Sequence, residues 1–431
     1  MTRAAPVADP LAAMAGADGT APGVLRVDAP EVQRLGDALA FTWPGLGVSL
    51  TFDQLRESHE GPLGEIAVSS AILGELHWSR LNLASAPARE GLVRKLEKIL
   101  PADPWRAMLD RACRAVAVAM REGEPVVALS PVRAADSRHL VPRFLIQGET
   151  NLIFGDGGSG KSLLAETLAA AVAVGAPLAC GLTPTATCPA LILDWETCRD
   201  EHEDRLAGIA AGFGCPRISG LFYRRMARAV ADEAAVLRRE IARLGVGLVV
   251  VDSLGPACGA EPESADAAIR SMNALRSFGP VTRLVVAHVS KLAAEQRSGP
   301  AKPYGSVYVQ NLARNVWEVR RAEEESEDLV LGAFHRKVNR GRLLPPVGLR
   351  FEFGEGAIRL RSQDVGEQAD LLARTSVAYR IQKVLTAGAL DVATLAEEAG
   401  AGKDTVKRTL RRLADKGRVI RVDETRWGLK R

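Results

Sequence analysis

The chain has no CxxC pair among its six cysteines and no Cys/His quartet at zinc-ligand spacing, which excludes a disulfide scaffold and a zinc finger and points to a reducing, cytoplasmic setting. It has no apolar run long enough to cross a bilayer. The most apolar stretch, Leu163 to Val174, is too short and carries Glu166. Met1 to Gly23 lacks the apolar h-region of a signal peptide, and no membrane partner is expected. No segment repeats at solenoid length. Aromatic residues are sparse, at 5%, and a net charge of +4 is too small to make the whole chain a polycation. The charge is unevenly spread, however. Ser376 to Arg431 holds 13 Lys/Arg against 7 Asp/Glu, so the tail carries +6 and the remainder −2. With 431 residues, 47% of them apolar, the chain is long enough for two or three domains.

Gly155, Asp156, Gly157, Gly158, Ser159, Gly160, Lys161 and Ser162 spell a complete phosphate-binding loop, set between the apolar run Asn151 to Phe154 and an Ala/Leu-rich helix. The chemistry requires that setting of strand, glycine loop and helix, because loop and helix N–H groups must point together at anionic phosphates. Lys161 is then placed to reach the β/γ-phosphates and Ser162 to hold Mg²⁺. ATP and Mg²⁺ are the cofactors expected.

Along the chain, residues 1–24 read as a disordered leader rich in Ala, Pro and Gly. Residues 25–127 read as a small α+β domain, with strand-like runs at Val24 to Val27, Ala40 to Trp43 and Val48 to Phe52 and helices at Ala88 to Ile99 and Pro104 to Glu122. Residues 128–361 alternate helices with near-continuous apolar runs, the pattern of a sheet covered on both faces. Residues 362–375 are polar and aperiodic and read as a linker. Residues 376–431 give three helices and a hairpin, the order of a winged helix-turn-helix.

The residues expected around the phosphates lie at the ends of the apolar strands. Asp252 closes Leu248 to Val251, where a Mg²⁺-holding carboxylate belongs. Asp194-Trp195-Glu196 follows Ala190 to Leu193; Glu196 is the expected catalytic base, with Asp194 the competing candidate. His288, after Val285 to Ala287, is placed to sense the γ-phosphate. The segment 293–304 contains Arg297 and Lys302, cations able to follow a single-stranded backbone. In the tail, Lys407, Arg408 and Arg411 fall away from the stripe of Val406, Leu410 and Leu413 and are the expected duplex-DNA contacts.

In order and spacing these residues resemble the RecA-like ring ATPases, most closely the RepA-type plasmid replicative helicases and more distantly the DnaB-type. The resemblance covers about residues 140 to 355. It rests on Gly155 to Ser162, Asp194 to Glu196, Asp252-Ser253, His288 to Lys291, Gly305-Ser306, Asn311 to Trp317 and Arg336 to Gly341. The sequence departs from the family where Ala287 stands in place of a first histidine and Tyr304 in place of an arginine. The resemblance implies an α/β fold with a RecA-like P-loop NTPase core. It further implies that Arg314 is a finger inserted into a neighbouring subunit's site and that the Lys-x-Asn segment of Lys337 and Asn339 lies at the same interface, where Lys337 and Arg340 are expected to touch nucleotide; the alternative for Arg314 is a surface helix arginine beside Trp317. The expected function is an ATP-hydrolysing homo-oligomeric motor on DNA, a hexameric ring passing a single strand through its channel, of the replicative helicase type. A non-translocating, ATP-gated DNA-binding regulator or recombination mediator is the alternative.

Overall fold

The computed structural model describes residues 28–35, 38–101, 104–121, 128, 139–261, 263–289, 302–323 and 326–430. The expected leader, 1–24, lies outside the described residues. The chain divides into two compact units, Met1–Val132 and Arg133–Arg431.

The first unit is a five-stranded antiparallel meander, β1 (Glu31–Leu35), β2 (Ala38–Trp43), β3 (Val48–Ser58), β4 (Gly61–Ser70) and β5 (Gly74–Asn82), with helices α1 (Ala86–Ile99) and α2 (Trp105–Arg121). Along β4 buried positions alternate with partly exposed ones, so Ile66 and Val68 share one face with Phe41 and Phe52 of the neighbouring strands. Leu96, Trp105, Met108 and Leu109 of the helices pack against that face. Ser85 caps α1 by accepting a hydrogen bond from Ala88 N–H, which is why the helix starts before Pro87 rather than after it. The first described strand starts at Glu31; the expected strand at Val24 to Val27 lies outside the described residues.

The second unit is built on a nine-stranded sheet. Its strands are β8 (Thr150–Gly155), β9 (Ala190–Asp194), β10 (Leu221–Arg225), β11 (Leu248–Asp252), β12 (Thr282–His288), β13 (Asn315–Arg321), β14 (Leu329–Val338), β15 (Val347–Gly354) and β16 (Ala357–Gln363). They run in the order β10-β9-β11-β12-β8-β13-β14-β15-β16, and a separate ribbon pairs β6 (His139–Val141) with β7 (Leu145–Ile146). From β10 to β13 every pairing is parallel; beyond β13 the strands are antiparallel. The parallel strands are apolar on both faces because both are covered. Ile153, Ile192, Val250 and Val286 meet α3 (Lys161–Val174) and α4 (Arg199–Phe213) on one side. Leu152, Phe154, Val249 and Val251 meet α5 (Val230–Leu244) and α7 (Ala265–Arg276) on the other; the single turn α6 (Leu254–Ala257) follows β11. α3 is buried almost all round, so truncating Leu164 or Leu168 to alanine is expected to cost about 2–5 kcal/mol. α4 lies so close to β16 that a Cβ on Gly212 would stand 1.9 Å from the Ile358 carbonyl oxygen.

The short α8 (Val307–Leu312) precedes β13. Residues 362–375, expected as a linker, hold the end of β16, a 3-10 turn (Val365–Glu367) and α9 (Ala369–Ala373). Val365 and Leu371 are buried against Ala322, Val330 and Phe334, two apolar anchors that dock an otherwise polar segment. Then follow α10 (Val377–Val384), α11 (Val392–Glu398), α12 (Lys403–Asp415) and a three-stranded sheet of β17 (Leu390–Asp391), β19 (Arg426–Leu429) and β18 (Val419–Arg421). Ile381, Leu395, Val406, Leu410 and Val419 form its core. Arg380 ties this module to α9, donating to the carbonyls of Ala373 (3.0 Å), Thr375 (2.9 Å) and Ala399 (2.7 Å).

Candidate active site

β8 delivers the glycine loop at its C-terminal end, and the loop turns directly into α3. Gly158 (φ 69°) and Gly160 (φ 78°) supply the left-handed backbone that the turn requires. Gly155 is a matter of space: a Cβ there would stand 2.1 Å from the Val319 carbonyl oxygen. Lys161 is 4% exposed and donates to the Asp156 carbonyl (2.6 Å) and the Ser159 hydroxyl (3.3 Å). Burial lowers its pKa, opposed by the charges of Asp252, Asp156 and Glu196.

Parallel register brings the other residues to the same edge. Asp252 lies opposite Asp194, and His288 opposite Gly155. Asp252 is hydrogen-bonded to the Ser162 hydroxyl, and burial, reinforced by Asp194, Glu196 and Glu166, pushes its carboxyl up to about 6. A buried carboxylate beside a hydroxyl, hemmed in by further carboxylates, is the donor set for a hard divalent cation that takes its remaining ligands from phosphate and water. Glu196 is half exposed; it accepts a hydrogen bond from Ser253 Oγ at 2.5 Å and lies 4.0 Å from His288 Nε2. Burial and the charge of Lys161 lower the His288 pKa, opposed by Glu196. Asp194 is fully engaged elsewhere, accepting from the backbone N–H groups of Glu196 (3.1 Å) and Thr197 (2.8 Å) and from His202 Nε2 (3.1 Å).

The remaining sequence-derived candidates lie elsewhere. Arg314 precedes β13 at the opposite end of the sheet, its N–H bonded to the Thr150 carbonyl at 2.8 Å. With Arg340, Asn339 and Glu149 it lines a cavity of about 280 Å³. Strand β8 spans the five steps from Thr150 to Gly155, roughly 17 Å at the usual rise per residue, so Arg314 and Arg340 do not meet their own phosphate loop. Lys337, near the end of β14, lies close to Arg314, whose charge adds to burial in lowering its pKa. Its ammonium group donates to the carbonyls of Gln310, Asn311 and Ala313 (2.7–2.8 Å), capping α8. Arg314 is not on a helix, and Trp317 is a fully buried strand residue stacked between Phe144 (4.7 Å) and His335 (4.4 Å). Arg297 lies outside the described residues; Lys302 is exposed, one residue before Pro303, which bridges to Val289. Lys407, Arg408 and Arg411 are exposed on α12, far in sequence from the loop.

Two charged groups beside the loop were not read from the sequence. Behind it, Glu166 of α3 is buried with His202, which also reaches Asp194, and Arg205 donates to Glu166 at 2.9 Å. Burial alone would lower the His202 pKa, but the two carboxylates raise it to about 9. The available signal was Glu166 itself, a lone carboxylate in an apolar helix that needs a buried partner. Beside the loop, buried Glu318 pairs with Arg320 and with Arg336 (2.6 Å), and Arg320 stands 3.6 Å from Asp156.

Residues 120–294 match the family described as an AAA domain. Among solved structures, the chain is similar to a KaiC-like protein from the hyperthermophilic archaeon Pyrococcus horikoshii, at 17% identity and a TM-score of 0.36 over 53% of this chain and 99% of that one. No curated protein matches it. Loop, sheet order and the match over residues 120–294 agree on an α/β core of the P-loop type.

Proposed function

We propose that the chain is an ATP-hydrolysing, homo-oligomeric motor acting on DNA, of the replicative helicase type. The observation that carries this reading is the split between the two edges of one sheet. The phosphate loop, Asp252, Glu196 and His288 share one edge, while Arg314 and Arg340 share the other and are beyond reach of that loop. Two half-sites at opposite ends of a subunit suit a head-to-tail ring, in which each interface completes one site. ATP with Mg²⁺ would supply the transferable γ-phosphoryl group and the charge that neutralises it; Ser162 and Asp252 would hold the metal. Glu196 would take the proton of the attacking water, and His288, 4.0 Å from Glu196, would register loss of the γ-phosphate. We read residues 376–431 as a winged helix-turn-helix, α12 being its recognition helix because its cations are exposed and its apolar stripe buried.

The trans assignment is tested by mixing. Arg314→Ala and Lys161→Ala are each expected to be inactive alone, and mixing them should restore hydrolysis at interfaces pairing an intact loop with an intact Arg314. Mixed oligomers that form, as seen by mass photometry, without any recovered turnover would refute it. Strand separation on a forked duplex separates the motor from an ATP-gated regulator, which would bind the fork and leave it paired.

A further inference from the structure

Between the antiparallel edge of the ATPase core and the C-terminal module lies a cleft of about 530 Å³ that the nucleotide chemistry does not use. Its cations come from four places in the sequence: Arg336 on β14, Arg342 on the following segment, Arg374 after α9, and Lys416 with Arg418 after α12. No carboxylate is among its lining residues. Arg336 is neutralised from behind by Glu318. Arg342, Lys416 and Arg418, by contrast, make no ion pair among the described residues and are exposed. Leu343 and two prolines line the cleft, and Tyr379 presents a ring; Leu343 remains 55% exposed.

Gathering unpaired like charges over an apolar floor opposes folding unless an anion is recruited, and the low-dielectric floor strengthens the attraction for one. Four of the five cations are arginines, whose planar forks match phosphate oxygens, and Tyr379 lines the same cleft with a ring of the kind on which bases stack. An acidic peptide would use the charge but has no need of the flat surface. We propose that this cleft is a second nucleotide site, separate from the phosphate loop, holding a phosphorylated nucleotide either as one unit of a single strand or as a free molecule. The inference does not rest on the motor reading, since an ATP-gated DNA-binding regulator would use the same cleft.

The full-length protein is compared with Arg342→Ala/Arg418→Ala and, as an independent charge reversal, Lys416→Glu. Fluorescence anisotropy with a labelled twelve-nucleotide oligothymidine is expected to show about tenfold weaker binding in both, and a salt slope reduced by about 0.7 for each phosphate no longer neutralised. That result assigns the cleft to a strand. Calorimetric titration with ADP tests the other source: a second, weaker site present in wild type and missing in both variants assigns it to a free nucleotide. Unchanged strand affinity and salt slope, together with one ADP site in all three proteins, overturn the proposal and leave the cleft to a protein ligand. ATP turnover without DNA should stay at the wild-type value and thermal stability should not fall, because the altered side chains are exposed, touch neither the loop nor a core, and relieve like-charge repulsion.

Discussion

Asp194 and Glu196 are two carboxylates two residues apart; the sequence put Glu196 first with Asp194 as its competitor, and His202 is what sets their surroundings apart. That imidazole, with two backbone N–H groups, satisfies Asp194, whereas Glu196 keeps an exposed carboxylate beside His288. Glu196→Gln is therefore expected to retain ATP and lose turnover by about 10²–10⁴-fold, measured as single-turnover hydrolysis beside nucleotide binding. Asp252 carries a pH signature. Its folded pKa, about 6, exceeds the ordinary 3.8, so in metal-free buffer its ionisation destabilises the fold above pH 6, and this penalty disappears below about pH 4. Asp252→Asn should then be more stable than wild type at pH 7, by up to about 3 kcal/mol, with the two converging as pH falls. Chemical denaturation at pH 4, 5.5 and 7 checks the sign. The meeting of Lys161, Ser162 and Asp252 at one strand end was legible because the phosphate-loop motif fixes residue types and spacing there. Lys337 was not, because its partners are carbonyls of a helix 24 to 27 residues earlier.

Among the elements, β8, β9, β11 and β12 could be read from their apolar runs, while β13 could not. Glu318 and Arg320 break its apolar pattern, and only the fold shows that they neutralise each other with the help of Arg336. In the same way, α3 and α4 are joined by a charge pair hidden from any local pattern. His202 is raised above its unfolded value, so its contribution is fully present below about pH 6.5 and is lost as pH rises through about 9. His202→Gln should lower the melting temperature at pH 7, and its gap to wild type, on the order of 3 kcal/mol, should close above pH 9. A gap unchanged from pH 7 to 10 would mean that His202 acts by packing alone.

For the molecule as a whole, the charge imbalance of the sequence becomes a spatial one. Lys407, Arg408 and Arg411 are exposed and make no ion pair among the described residues, while Val406, Leu410 and Leu413 are buried. Replacing all three cations by alanine is expected to leave ATP turnover and melting temperature unchanged. Duplex affinity should fall, and the salt slope flatten by about one unit for every phosphate left without its cation. Unchanged binding would mark α12 as a protein-docking surface. The five-stranded N-terminal unit was only partly visible in the sequence because β4 and β5 mix glycine, charge and serine with few apolar residues, and their pairing is specified by neighbouring strands.

The close approach of Gly212 to the Ile358 carbonyl also limits how copies of the chain can associate. A sheet ending in a bare strand offers a row of backbone donors and acceptors on which another chain can add, and such growth is open-ended. Here the last strand is met by a helix of its own subunit, packed tightly enough that no side chain fits between them. Strand addition at β16 is therefore disfavoured, and in the ring proposed above a neighbour on that side would dock on side chains, where an interface can loosen and re-form without unpicking a backbone ladder.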